Sequence, residues 1–301
     1  MNDLSVTVVG NCQARPVANY IASMCPGVSM LPEIIVHLSS LESATSDLEI
    51  LDQAEYILAQ SVQDGYHAEH LTTSALKERY GKKVLVWPNL FFNGNCADIF
   101  YLTSETGERL QGPLGPYHNL YIFRCWKNRI SEAQVPDALE EMYRNDAETL
   151  LTSVEASMKV LKDRDDESDV AIVDHIKSEW RKKRLFFTFN HPTADLLIEL
   201  SRQLADAASL TRTMDIDSSF DGEPLNPIVP ATSKLLATIL DLDYHITDTS
   251  KGMQIKLDDG KVDLSGKWLY SLEDFISQSY AAYDLQPASN SSVRYTPNYA
   301  A

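Results

Sequence analysis

The chain has 301 residues, of which 43 are acidic and 26 basic, so its formal net charge is −17. This charge argues against nucleic acid as the main partner, because binding phosphates requires a strongly basic surface. Hydrophobic residues make up 44% of the chain, which is ordinary for a globular protein of one large domain or two small ones. No apolar stretch approaches the ~20 residues that span a bilayer, and the four scattered cysteines suit free thiols. Together with a start that lacks the basic segment of a signal peptide, these features predict a cytoplasmic protein.

The first 90 residues alternate between strand-like and helix-like segments. Apolar runs at 4–9, 55–60 and 83–87 predict buried strands, whereas 14–24 and 68–80 have helical spacing. Strands separated by helices predict βαβ units and a doubly wound, mostly parallel α/β sheet of the Rossmann type. In such a sheet a ligand binds beyond the carboxyl ends of the strands.

The middle of the chain is dominated by helical patterns. They include Val135–Leu161, and the charged run Arg164–Asp169 predicts an exposed break after them. Cys96–Tyr101 also reads as helical, with Asp98 and Tyr101 on one face. An apolar strand at 185–189 then returns the chain to the sheet.

These patterns predict four regions. They are a sheet region with a cysteine-containing turn (1–116), a large helical insertion (117–184), a return to the core (185–245) and a C-terminal extension (246–301). The tail of the extension, from 287, lacks an apolar pattern, so we expect it to be irregular.

The tetrapeptide Gly10-Asn11-Cys12-Gln13 lies between the first predicted strand and the first predicted helix. A cysteine at a helix N-terminus is expected to have a lowered pKa and to act as a nucleophile. The backbone N–H groups of such a turn can also receive an oxyanion or a phosphate. We therefore predict that Gly10, Asn11, Gln13 and the following Arg15 bind a ligand beside Cys12. The alternative is that Cys12 is only a small residue in a tight turn.

A reactive cysteine needs a base, and histidine is the usual one. His191 is the first candidate because it lies at a strand end before Pro192, although it could merely order that turn. His118 is the second candidate. Asn89, after another strand, could donate its amide to an oxyanion or only form a turn. No histidine or cysteine spacing indicates a metal site.

The run Arg181–Arg184 is the one dense basic segment of this acidic chain. Lys182, Lys183 and Arg184 could bind the phosphates of a nucleotide-like cofactor. The alternative is an ordinary solvated helix end.

The cysteine tetrapeptide, the segment 87–101 and Phe189-Asn190-His191-Pro192 together resemble the WcbI-like family of polysaccharide-biosynthesis acetyltransferases, over about residues 1–240. The resemblance implies transfer of an acyl group from acetyl-CoA to a sugar hydroxyl. The chain also looks like a distant variant of the SGNH-hydrolase plan, in which Cys12 matches the nucleophile, His191 the base and Asn89 an oxyanion donor. That plan has an acidic residue two or three positions before its histidine, where this chain has Phe189 and Thr188.

Three functions follow from these observations. The first is a coenzyme A-dependent O-acyltransferase, with coenzyme A as donor and a carbohydrate as acceptor. In it, either Cys12 is transiently acylated or His191 deprotonates the acceptor directly. The second is a carbohydrate ester hydrolase of the same architecture. The third is a non-catalytic module that holds an anionic ligand at the helix N-terminus.

Overall fold

The computed structural model describes residues 4–258, 261–286 and 292–294. The strands within these residues are β1 (Leu4–Gly10), β2 (Val28–Met30), β3 (Ile34–Ile35), β4 (Tyr56–Gln60), β5 (Val84–Trp87), β6 (Ile99–Thr103), β7 (Tyr117–Asn119), β8 (Phe186–Thr188), β9 (His191–Pro192), β10 (Ser250–Asp258), β11 (Lys261–Tyr270) and β12 (Ser292–Arg294). The helices are α1 (Ala14–Met24), α2 (Ala44–Gln53), α3 (Thr73–Tyr80), α4 (Leu120–Lys127), α5 (Val135–Asn145), α6 (Ala147–Asp166), α7 (Val173–Glu179), α8 (Ala194–Ala207), α9 (Lys234–Leu240) and α10 (Leu272–Leu285).

The central sheet is parallel and has the strand order β2-β1-β4-β5, with β3 pairing the end of β1. After β1, the strands β2 and β3 lie on one side of β1 in the sheet. The chain then crosses to the other side of β1, where β4 and β5 lie. The direction therefore reverses between β1 and β4. A crevice at the carboxyl ends of these two strands is where such sheets bind ligands.

Helices cover both faces of this sheet. Successive residues of β1 belong to different cores. Val8 lies with Trp87 in the larger core, and Val9 lies with Val86 in the smaller one. Helices α1 and α8 lie against the first face and against each other. The second core takes Leu51 from α2 and Leu76 from α3. The predicted doubly wound, mostly parallel α/β fold is thus confirmed.

The charged run Arg164–Asp169 contains the end of α6, and Asp166, Glu167 and Asp169 are exposed as its sequence suggests, but the run also makes contacts that its sequence does not indicate. Helix α6 continues to Asp166, and Asp165 is buried, with its Oδ2 accepting a hydrogen bond of 2.7 Å from the N–H of Val173. The backbone N–H of Asp169 donates to the carbonyl of Val86, and its carboxylate accepts from the N–H of Val86. The run therefore covers the edge of β5, where unpaired backbone groups would otherwise face solvent.

The expectation of a helix over Cys96–Tyr101 is wrong. Strand β6 begins at Ile99 and pairs with β7 in an antiparallel ribbon, with Tyr101 opposite Tyr117. Its sequence, Ile-Phe-Tyr-Leu-Thr, consists mainly of β-branched and aromatic residues, which favour strands. The helical spacing of residues 96–101 gave a wrong prediction because the strand depends on a partner that lies 16 to 20 residues further along the chain.

The C-terminal extension contains regular structure that its sequence pattern did not indicate. Strands β10 and β11 form an antiparallel hairpin, and α10 packs on α4, where Tyr283 contacts Phe123 and Trp126. Strand β12 pairs with β6. Apart from β12, the predicted irregular tail lies outside the described residues. The boundaries of the four regions stay a prediction. No described helix is both long and apolar enough to cross a membrane.

Candidate active site

The turn between β1 and α1 is closed by its own polar groups. The side-chain oxygen of Asn11 accepts a hydrogen bond of 2.9 Å from the N–H of Gln13, and its carbonyl accepts one of 3.0 Å from the N–H of Ala14. A Cβ atom at Gly10 would lie 3.0 Å from the Trp87 ring and 3.2 Å from Cβ of Gln60. A side chain at the end of β1 would therefore force the Trp87 or Gln60 side chain to shift by a few tenths of an ångström, so the close packing favours glycine there.

Two buried glutamine side chains join the loops at this edge of the sheet. The amide oxygen of Gln60, at the end of β4, accepts from the N–H of Asn11, and its nitrogen donates to the oxygen of Gln13 over 3.1 Å. The nitrogen of Gln13 donates to the carbonyls of Leu90 (3.1 Å) and Asn190 (3.0 Å). The loops after β1, β4, β5 and β8 thus form one hydrogen-bonded network, which holds Cys12 and the loop of His191 in a common frame.

Asn89 lies at the same edge, as the sequence predicted from its place after a strand. Its side-chain oxygen is 3.4 Å from the amide nitrogen of Gln60, and its carbonyl accepts a hydrogen bond of 3.0 Å from Arg164. Its side chain is therefore part of the glutamine network.

Cys12 is half-buried at this turn and packs against the larger core, whereas the other three cysteines are buried. Burial raises the pKa of its thiol to about 11, and the opposing effect of a backbone hydrogen bond is smaller. The expected lowering of this pKa is therefore wrong. The free-energy cost of desolvating a thiolate is larger than the stabilisation that the N-terminus of α1 gives to the thiolate. At neutral pH the sulfur keeps its proton.

His191 forms part of β9, directly after the turn that follows β8. Its Nδ1 is buried and has no hydrogen-bond partner within the described residues. Burial lowers the pKa of the imidazole to about 4, so the ring is neutral at physiological pH. Thr188 lies at one of the two positions where the SGNH plan has an acidic residue. Its hydroxyl donates a hydrogen bond to the side-chain oxygen of Asn190. A neutral imidazole with a free nitrogen can accept a proton.

A pair of tyrosines connects the cysteine turn to the histidine loop. The side-chain oxygen of Asn190 accepts a hydrogen bond of 2.8 Å from Tyr117, and its nitrogen donates to the hydroxyl of Tyr101 over 3.2 Å. The Tyr117 ring lies edge-on to His191, with a centroid distance of 5.7 Å. The pKa of Tyr101 is raised, mainly by burial, and a charge on Cys12 would raise it slightly further. The sequence did not identify Tyr117 as a residue of the site. The strand register that places Tyr117 opposite Tyr101 is what brings it there, and this register is not visible in the sequence.

Arg109 extends this group with a positive charge. Its guanidinium lies 3.9 Å above the Tyr101 ring, and no ion pair to it is found within the described residues. Together with Lys261 it lines a pocket of about 500 Å³, which Glu105, Glu108 and Asp263 line as well. The pocket thus combines two cations with three carboxylates, and Arg109 connects it to Tyr101.

The structure does not bring His118 to this site. Adjacent residues of a strand point to opposite faces, so His118 faces away from the side of the ribbon that carries Tyr117. Its ring is buried, with Nε2 at 3.1 Å from the carbonyl of Leu110 and Nδ1 at 3.2 Å from the Tyr283 hydroxyl. Burial lowers its pKa to about 4.

The cations predicted to bind phosphate all have protein partners. Lys182 pairs with Glu179 at 3.0 Å, and Lys183 pairs with Asp195 at 2.6 Å. The guanidinium of Arg184 donates to Thr232 and to the carbonyl of Pro230.

Arg15 faces solvent on α1 and pairs with Glu33 at 2.6 Å. A phosphate at Arg15 or at the basic run would have to compete with these partners.

The comparisons with known proteins concern both the sequence and the fold. A family model described as polysaccharide biosynthesis enzyme WcbI matches residues 5–213. A solved structure of WcbI is described as a novel polysaccharide biosynthesis enzyme, a native protein without a disulfide bond between coenzyme A and one of its cysteines. It has a TM-score of 0.74 at 18% sequence identity and covers 95% of this chain and 92% of that chain. At this identity the likeness shows a shared fold. No curated protein matches the chain.

Proposed function

The chain belongs to the WcbI family of polysaccharide biosynthesis enzymes, and on that premise we propose that it is a coenzyme A-dependent O-acyltransferase acting on a sugar hydroxyl. The observation that carries the proposal is the hydrogen-bonded frame that holds Cys12 and the loop of His191 at one edge of the sheet. The description of the solved WcbI structure names coenzyme A together with a cysteine, which supports a contact between the donor and Cys12. When bound, acetyl-CoA supplies the acyl group as a thioester.

The protonation states favour direct transfer over an acylated cysteine. The pKa of Cys12 is about 11 and that of His191 about 4, so moving the thiol proton to the imidazole costs on the order of 10 kcal/mol at about 1.36 kcal/mol per unit. The thiolate is the reactive form of a cysteine, so this cost would add to the barrier of the covalent route. A hydroxyl can lose its proton to a general base while its oxygen attacks. We therefore assign His191 the role of base toward the acceptor, and Cys12 that of a neutral contact to the donor.

Cations beside the site would hold the phosphates of the donor. Arg109 and Lys261 line one pocket, which Glu105, Glu108 and Asp263 line as well, and Arg109 lies over the ring of Tyr101. A phosphate held there would contact the two cations and would face these carboxylates. The basic run remains a second possibility for the 3′-phosphate, with Lys182 and Lys183 exposed enough to exchange their acidic partners for it. Charge-assisted contacts to phosphate weaken with salt, so donor affinity should fall as ionic strength rises.

Titration calorimetry with coenzyme A and dephospho-CoA tests the donor site. Loss of one charge-assisted contact should weaken binding of dephospho-CoA roughly ten- to hundredfold. Arg109→Gln and the Lys182→Ala, Lys183→Ala pair report which cations take part. Arg79→Gln is the matched control, because Arg79 is exposed and paired with Asp52. If neither nucleotide binds, the acyltransferase proposal fails and a carbohydrate ester hydrolase becomes the better account.

Mass spectrometry of the intact protein during turnover separates the two routes of transfer. We expect no acyl group to accumulate on Cys12, and Cys12→Ser to keep measurable turnover with weaker donor binding. An acylated Cys12 that forms and decays at the rate of turnover would instead support the covalent route. Donor binding without any transfer to a panel of sugars would favour the non-catalytic module.

A further inference from the structure

Asn190, the residue before His191, is held through its backbone as well as its side chain. Its carbonyl accepts a hydrogen bond of 3.0 Å from the amide nitrogen of Gln13. That carbonyl belongs to the same planar peptide group as the backbone nitrogen of His191. Gln13 therefore fixes the peptide plane that leads into His191, and Pro192 restricts the backbone on the other side of the histidine.

The side chain of Asn190 closes a ring of hydrogen bonds with the tyrosine pair. Its amide nitrogen donates to the hydroxyl of Tyr101 over 3.2 Å, and that hydroxyl donates to the hydroxyl of Tyr117 over 3.4 Å. The Tyr117 hydroxyl donates back to the side-chain oxygen of Asn190 over 2.8 Å, and Thr188 donates to the same oxygen. Because each group in the ring both donates and accepts, the amide and the two hydroxyls fix one another's orientation.

The Tyr117 ring connects this hydrogen-bonded ring to the imidazole. It lies edge-on to His191, with a centroid distance of 5.7 Å and an angle of 62° between the ring planes. Phe189 lies edge-on to the same tyrosine at 5.2 Å and stacks on Phe91 at 4.7 Å. Aromatic contacts of these geometries favour particular ring orientations. A fixed Tyr117 thus limits the directions in which the ring of His191 can turn.

The contacts that orient His191 are neutral. Within the described residues no acidic side chain bonds to its ring, and its Nδ1 has no hydrogen-bond partner. Thr188 and Phe189 occupy the two positions at which the SGNH plan has an acidic residue. The hydrogen bonds from the Cys12 turn and from the β6–β7 ribbon instead meet at the neighbouring residue, Asn190.

We propose that Asn190 is the positioning residue of His191 and orients the imidazole through its own backbone and through Tyr117. The use of the imidazole as a base rests on the proposed function, whereas its orientation by Asn190 does not. A general base must lie within hydrogen-bond distance of the proton that it removes. An imidazole that turns freely would therefore slow the transfer step and leave the binding of the donor unchanged.

Variants that remove single groups separate orientation from stability. Tyr117→Phe opens the ring of hydrogen bonds and keeps the aromatic ring beside the histidine. Asn190→Ala removes the side chain and keeps the carbonyl that Gln13 holds. Tyr280→Phe is the matched control, because Tyr280 is also buried and its hydroxyl donates a hydrogen bond of 2.9 Å to the carbonyl of Ile130. Thermal unfolding confirms that each variant is folded.

NMR of the protein with ¹³C-labelled histidine reports the orientation without any substrate, and the loss of one signal in His191→Gln assigns that signal. We expect it to move or broaden in Tyr117→Phe and Asn190→Ala and to stay in place in Tyr280→Phe. This result supports the positioning role even if no acyl transfer is detected. An unchanged His191 signal in both variants overturns the proposal.

Kinetics provide the second readout where transfer is detected. Asn190→Ala should lower kcat roughly ten- to hundredfold, as a misplaced group does, with the KM for acetyl-CoA unchanged. Tyr117→Phe should lower kcat less, and Tyr280→Phe should leave it unchanged. An unchanged kcat in Asn190→Ala, or an equal loss in Tyr117→Phe and Tyr280→Phe, refutes the positioning role.

Discussion

Two histidines, one in the loop after β8 and one in the β6–β7 ribbon, have the same lowered pKa of about 4 for the same reason, burial. Their surroundings differ. Both ring nitrogens of His118 lie within hydrogen-bond distance of a protein oxygen, whereas Nδ1 of His191 is buried without a partner in the described part of the chain. A lowered pKa alone therefore does not identify a reactive histidine. The position at the carboxyl ends of the strands, together with the unsatisfied nitrogen, favours His191 as the base of the proposed function. The nitrogen alone does not, because His70 and His175 also have a buried ring nitrogen without a partner in the described residues.

The largest expected effect is that of removing the imidazole at the sheet edge. His191→Ala should lower turnover with acetyl-CoA by ~10²–10⁴-fold, the usual contribution of a general base. The free energy of unfolding and the affinity for coenzyme A should change little. Steady-state kinetics with calorimetry on the folded protein measure both. Normal turnover per folded molecule would assign His191 to ordering the turn.

His118→Ala should have the opposite profile. It removes a buried ring and leaves the Leu110 carbonyl and the Tyr283 hydroxyl without this partner, so we expect a loss of about 2–4 kcal/mol in the free energy of unfolding. Turnover per folded molecule should be kept. Urea unfolding followed by far-UV circular dichroism measures the loss. Turnover that falls more than tenfold in the folded fraction would contradict the structural role.

Acid should destabilise the protein through both histidines. Each has a folded-state pKa of about 4 against an ordinary value of 6.5, so between these values the unfolded chain binds a proton that the folded chain does not. Stability is present above pH 6.5 and falls as the pH is lowered toward 4, by roughly 3 kcal/mol for each histidine at about 1.36 kcal/mol per unit. Unfolding at a series of pH values should show this slope, and it should decrease in His118→Gln and in His191→Gln. An unchanged slope in both variants would refute the assignment.

The smallest effect concerns the thiol. Because the pKa of Cys12 is about 11, its alkylation by iodoacetamide should be slow at neutral pH and should rise about tenfold per pH unit up to pH 10. Peptide mass spectrometry should find Cys12 labelled before Cys25, which is buried. An alkylation rate that levels off near pH 7 would instead show the lowered pKa that is expected of a cysteine at a helix N-terminus.

Much of the sheet core was predictable because its signals are local. The apolar run before Gly10 and the helical spacing from Ala14 identify β1 and α1, and parallel strands with intervening helices bring the loop after Gln60 to the same edge. The positions of Cys12, Asn89 and His191 at strand ends follow from the same reasoning, and their roles remain proposals.

The errors arose where distant residues decide the outcome. Residues 96–101 have helical spacing, yet β6 is a strand because β7 pairs with it. Asp169 is exposed, as predicted, but the sequence does not indicate its bond to β5, which lies 83 residues away in the chain.

The sequence by itself determined the fold class and the strand ends at which Cys12 and His191 lie, since hydrophobic periodicity and glycine turns act over a few residues. The tertiary structure alone decided the protonation of these two groups, because a pKa depends on burial by segments from elsewhere in the chain. It also separated His191 from His118, which look alike in the sequence, by giving partners to both nitrogens of only one.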